Sequence, residues 1–133
     1  MAKRKPISKA MRQRVFEKFN GHCAYCGCEL TIEKMQVDHL YSVYRSVEWD
    51  GKQADNSFEN LMPACRQCNF YKGSMTLEWF RLQLKTLINR VRLPYVFRLA
   101  EKYKMVEEKQ WDGKFYFERL KEWQDEQANN NHS

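Results

Sequence analysis

The sequence predicts an α+β domain folded around metal, on three observations. Four cysteines fall in two C-x-x-C pairs, Cys23/Cys26 and Cys65/Cys68. Between the pairs, the apolar and polar alternation of 29–39 runs into the dipeptide Asp38-His39, and helical patterns flank the pairs on both sides.

The first element is a helix over 9–20. Ser8 can cap it, Met11, Val15, Phe16 and Phe19 share one face, and Gly21 ends it. Over 29–39, Leu30, Ile32 and Val37 alternate with polar residues, which predicts a short β-hairpin turning near Glu33-Lys34. The stretch 40–57 has no periodicity and reads as a loop of the length that is often functional. Residues 58–62 suit a helical turn before Pro63, and the second cysteine pair opens a helix near 69–73. Thr76 can cap a longer amphipathic helix over 77–91, with Trp79, Phe80, Leu84, Leu87, Ile88 and Val91 as its buried stripe. Leu93-Pro94 breaks that pattern, and 95–103 resumes as a short helix. Asp112-Gly113, followed by Phe115-Tyr116-Phe117, predicts a terminal hairpin over 106–118. Residues 120–127 are charged and suit a helix; 128–133 read as a disordered tail.

Chemistry concentrates between the cysteine pairs. A two-residue gap lets both thiolates of a pair face one cation, and two pairs complete the tetrahedral shell of a structural zinc (Zn²⁺). Two disulfides or free thiols are the bland alternative. Cys28 is the odd thiol and reads as a spare. The 38 residues between Cys26 and Cys65 exceed a usual zinc ribbon, so an insert separates the pairs, and it holds Asp38 and His39. An imidazole takes a proton readily near neutral pH, and a carboxylate beside it can hold a divalent cation. Neighbouring strand residues point to opposite faces, so either the strand ends here or the two side chains reach the reactive centre from different sides.

The runs C-A-Y-C-G at 23–27, V-D-H-L at 37–40, E-N-L at 59–61 and C-R-Q-C-N-F-Y-K at 65–72 together resemble the HNH endonucleases, in particular the zinc-knuckled bacterial and phage branch. The resemblance covers about residues 12–85. It implies a ββα-metal core with paired four-cysteine knuckles, flanking helices and a helical or hairpin C-terminal extension. With the charge and pattern of the rest of the chain, the expected organisation is a basic arm over 1–14 entering the first helix, a nuclease domain over 15–92, an extension over 93–127 and a tail over 128–133. By position, His39 becomes the general base, Asp38 a ligand of the catalytic cation, and Asn60 the residue that braces the loop and orients the histidine. Asn69 stands where the name-giving third histidine would be and becomes the second ligand. Lys72 falls at a basic position suited to neutralising phosphate. Oxygen-only ligation suits Mg²⁺ or Mn²⁺ better than zinc.

Charge fits that reading. The chain carries a formal +6, and residues 1–14 hold six bases (Lys3, Arg4, Lys5, Lys9, Arg12, Arg14) and no acid. Lys3, Arg4, Lys5, Arg12 and Arg14 are therefore candidate phosphate contacts. DNA is the expected partner, and RNA carries the same phosphodiester. No apolar run is long enough to cross a membrane, so a cytoplasmic place in a bacterial host or phage-infected cell is expected. Severing both strands asks for a homodimer or two successive cuts, and a phage-packaging partner is compatible with nuclease activity. A non-catalytic zinc module that only binds nucleic acid is the other reading; it has no use for Asp38, His39, Asn60 and Asn69 together.

Overall fold

A computed structural model describes residues 6–41 and 56–131. The chain divides into two units: Met1–Thr76 with Phe115–Ser133, and Leu77–Lys114.

In the first unit, helix α1 spans Lys9–Glu17, and the Ser8 side chain accepts from the Met11 amide at its start. Asn20 and Gly21 then take positive φ and stop it. Its inner face sets Val15 against Met35 and Leu61, with Met11, Phe16, Leu30, Ile32 and Phe58 packed around them.

Strand β1, Gln36–His39, does not belong to a local hairpin. Its partner is β2, Leu61–Ala64, in antiparallel register that sets Val37 opposite Pro63 and His39 opposite Leu61. The predicted 29–39 hairpin is thus corrected. Glu29 makes an isolated bridge to His22, and the Met35 amide closes a turn on the Thr31 carbonyl. Leu30 and Ile32 produce the alternation by dropping into the core beside Val15. The carbonyls of Ile32 and Met35 accept from Arg12 instead of from a partner strand, at 2.6 and 2.5 Å.

A short 3₁₀ turn, Phe58–Asn60, delivers the chain to β2, where a longer helical turn over 58–62 was expected. Pro63 fits within a strand because its register partner needs no donor there, and its carbonyl accepts from the Ala24 amide at 2.8 Å. Helix α2, Arg66–Lys72, follows at once, and the Cys65 sulfur accepts from the Cys68 amide at its N-terminus. Antiparallel β1 and β2 with α2 packed on β1 form a ββα unit.

The second unit is helical. The expected 77–91 helix is broken at Thr86 into α3, Leu77–Lys85, and α4, Leu87–Val91. The Thr86 hydroxyl bonds back to the Leu82 carbonyl, which competes with the helical ladder. Of the predicted stripe only Phe80 is fully buried; Trp79 is half-exposed. Helix α5 runs Tyr95–Lys102 after the proline. The predicted 106–118 hairpin does not form, and the described residues there hold no strand. Gly113 takes φ +84 and its carbonyl accepts from Arg81, while the Asp112 carboxylate caps the Lys114 amide, a closed turn with no strand to extend.

Back in the first unit, helix α6 covers Tyr116–Asn130, so Ala128 to Asn130 are helical rather than part of a disordered tail. Among the described residues no helix is long and apolar enough to cross a membrane.

Candidate active site and metal centre

The sulfur cluster is built by two tight turns. Gly27, with φ +81, turns the chain so that its amide returns to the Cys23 carbonyl, and the Cys23 amide reaches the Cys28 carbonyl. The Ala24 bond to Pro63 ties this knuckle to β2, whose end carries Cys65. The result gathers Cys23, Cys26, Cys65 and Cys68 with all four sulfurs within 4.8 Å of one another, and Cys28 lies outside the group. Tetrahedral thiolates at zinc distance stand about 3.8 Å apart, and Cys26 and Cys65 are 3.9 Å apart. The donor set therefore fits zinc.

The electrostatics agree. A hydrogen bond from Cys68 holds the Cys23 thiol down to about 4, while the same bond pushes Cys68 far up and burial raises Cys26. Four thiols this close cannot all ionise without a cation among them.

The second cluster lies at the end of β1, and Asp38, His39, Asn60 and Lys72 are its buried polar members. The Asp38 carboxylate receives the Tyr25 hydroxyl at 2.5 Å and pairs with the Lys72 ammonium at 3.0 Å, both on Oδ2. Lys72 also donates to the His39 carbonyl at 2.9 Å and has no exposed surface. Burial and then the Asp38 charge raise the Tyr25 phenol well above its usual value, so it stays a donor.

His39 is the last residue of β1, and its Nε2 lies 2.7 Å from Asn56 Oδ1. Asn60 braces the loop, accepting from the Tyr41 amide on Oδ1, donating to the Tyr41 carbonyl and taking the Leu40 amide on its own carbonyl. Asn56 thus places an amide oxygen beside the imidazole, a contact the sequence did not predict. Asn69 is half-buried on α2, three residues before Lys72, and so shares the face of the helix that packs on β1.

Residues 23–74 match the family model described as HNH endonuclease. The chain carries an HNH domain. That domain spans both clusters and lies wholly within the first unit. Two curated relatives are similar to the chain. A CRISPR-associated endonuclease Cas9 from Corynebacterium diphtheriae is 33% identical over 63 residues, covering 47% of this chain and 5% of that protein. YoqL, an SPbeta prophage-derived protein of Bacillus subtilis whose name assigns it to the HNH endonucleases, is 28% identical over 104 residues, covering 68% of this chain and 45% of that protein. The Type II-C Cas9 of Actinomyces naeslundii, a crystal structure, aligns over 68% of this chain and 10% of its own, at 26% identity and a TM-score of 0.46. The chain thus spans less than half of each relative's length.

Three residues around the HNH domain escaped the sequence reading. Tyr25 reads as a spacer inside C-A-Y-C, Asn56 as one loop residue among many, and Phe115 as hairpin. Phe115 is fully buried with its ring edge-on to Tyr25 at 5.5 Å, and the next two amides bond the carbonyls of Tyr25 and Ala24. Aromatic density at 115–117 was the one available signal, and it spoke equally for a strand.

The basic residues divide. Arg12 is occupied by two core carbonyls and Arg14 lies over the Phe58 ring at 4.4 Å. Lys3, Arg4, Lys5 and most of the 40–57 loop lie outside the described residues.

Proposed function

We propose that the chain is a metal-dependent endonuclease that hydrolyses DNA phosphodiester bonds, with zinc in the thiol cluster and Mg²⁺ or Mn²⁺ held by Asp38 and Asn69. The observation that carries it is a buried Asp38-His39 pair, each side chain held by a neighbour, inside the HNH-matching stretch. Oxygen donors on β1 and on the facing side of α2 suit a hard cation. When bound, that cation would supply Lewis-acid stabilisation of charge on the phosphate and the leaving 3′ oxygen.

The protein's own part follows from its hydrogen bonds. Asn56 Oδ1 accepts from the Nε2–H of His39, which leaves the Nδ1 lone pair to take a proton from the attacking water. Asn60 keeps the main chain at 40 and 41 in place around that imidazole. Lys72, fully buried, serves Asp38 and the His39 carbonyl and does not reach out to phosphate. The expected products are 5′-phosphate and 3′-hydroxyl ends. Nicking, paired cuts by a homodimer, a phage-packaging partner and a cytoplasmic setting all belong to this proposal and not to the geometry. So does phosphate binding by the 1–14 arm, chiefly by Lys3, Arg4 and Lys5.

Supercoiled plasmid incubated with the zinc-loaded protein and Mg²⁺ tests it. Conversion to nicked or linear DNA is expected, and His39→Ala should lower the rate by about 10²-fold or more with zinc content and melting unchanged. Binding without cleavage in Mg²⁺ and in Mn²⁺ would instead favour the non-catalytic nucleic-acid module.

A further inference from the structure

We propose that Tyr25 is a positioning residue for the cation-binding carboxylate: carried between two thiols of the sulfur cluster, its hydroxyl fixes Asp38 through Oδ2 and turns Oδ1 toward the cation. This rests on the reading of Asp38 as a cation ligand.

Tyr25 sits in the turn between Cys23 and Cys26, so the ion that closes the knuckle also sets where the phenol can point. The ring is buried and boxed edge-on by Phe115 at 5.5 Å and Phe117 at 6.4 Å. Its carbonyl accepts from the Tyr116 amide at 3.1 Å, and the preceding Ala24 is tied to Pro63 and Phe117. With ring and backbone both held, the hydroxyl has one direction, and a buried hydroxyl needs a partner along it. That partner is Asp38 Oδ2.

Lys72 approaches the same oxygen from α2. A carboxylate offers two oxygens with about four lone-pair sites. Two donors converging on Oδ2 fix the carboxylate plane and leave Oδ1 to neither of them. The two metal regions are then connected by one side chain, from sulfur cluster to phenol to carboxylate. Emptying the thiol cluster would loosen the oxygen site before it unfolds the domain.

The test is Tyr25→Phe, which keeps the ring and removes one oxygen. Zinc-loaded protein in a His39→Ala background, with a short DNA duplex present so that nothing is cut, is titrated with Mn²⁺ by electron paramagnetic resonance. The expected result is an Mn²⁺ dissociation constant raised on the order of tenfold, the scale of one charge-assisted hydrogen bond. Zinc content should stay the same. In the background with His39 intact, the Mg²⁺ concentration for half-maximal cleavage should rise by a similar factor while the rate at saturating Mg²⁺ changes far less. An unchanged Mn²⁺ constant, with the parent protein binding Mn²⁺ normally, overturns the role of Tyr25 and leaves the nuclease reading intact. A parent that binds no Mn²⁺ overturns both. If Tyr25→Phe loses its zinc or fold, fluorotyrosine-labelled parent protein carries the test. The position-25 fluorine resonance should move on adding Mg²⁺, and one that stays fixed at saturating Mg²⁺ overturns the proposal.

Discussion

The sulfur cluster and the Asp38 cluster are neighbours in one domain, yet they stand differently toward an ion. Cys23 is buried, Cys26 is exposed and Cys65 and Cys68 are half-exposed, and their four sulfurs crowd within 4.8 Å of one another. Asp38 is buried and its charge is already met by Lys72 and Tyr25. Four thiols so close together call for a cation, whereas the Asp38 carboxylate already has its counter-charge. On the proposed function, a metal in the first would be structural and a metal in the second would come and go with substrate.

The largest effect should therefore fall on the thiols. Cys65→Ser removes a thiolate ligand while its hydroxyl can still cap α2, so the cost falls on the metal site and is on the order of 5 kcal/mol or more, since structural zinc contributes roughly 10–16 kcal/mol in small modules. Thermal melts with and without a strong chelator check it. A variant or chelated protein that melts like the parent would show that the cluster is not a zinc site.

Next comes the oxygen region, where Lys72→Met makes the two clusters alike. It leaves the Asp38 carboxylate buried with the Tyr25 hydroxyl alone, and breaking a buried pair from one side costs about 3–5 kcal/mol. The sharper readout is metal dependence. The parent's melting temperature should hardly respond to Mg²⁺, whereas that of Lys72→Met should rise with it, because the cation now answers the unpaired charge. Equal Mg²⁺ responses in parent and variant would break the contrast between the clusters.

The same contrast explains what could be read from the chain. The cysteine quartet was legible because two residues of spacing nearly determine ligand geometry, and α1 was legible because Ser8, its apolar face and Gly21 are all local signals. The mixed helix and strand class and the Asp38-His39 pair at a strand end followed from similar local patterns. Apart from the cysteine quartet, what failed were pairings that depend on distant chain. β1 finds its partner beyond the 40–57 stretch, Asp38 meets Tyr25 and Lys72 from two other elements, and Phe115 returns to the knuckle from the far side of the second unit's sequence. Local alternation at 29–39 and at 115–117 was compatible with a hairpin in both places, and in both the apolar residues went to a core contact instead.

The smallest effect should come from an ion pair with better contacts on paper. Arg92 meets both carboxylate oxygens of Glu108, at 2.5 and 2.6 Å, but the Arg92 side chain is half-exposed. The hydrogen bond from Arg92 holds the Glu108 carboxyl below its ordinary value, so any stability the pair adds is present above the ordinary carboxylate range and disappears as pH falls through it. Water and salt screen such a pair and ordering its side chains offsets much of the remainder. Arg92→Ala should accordingly melt within about a degree of the parent at moderate salt from about pH 6 to 8, with any gap closing as the buffer is acidified. A drop approaching that of Lys72→Met would mean that burial is not what separates the two pairs, and the distinction between a site that needs its counter-charge and one that merely has it would have to be drawn elsewhere.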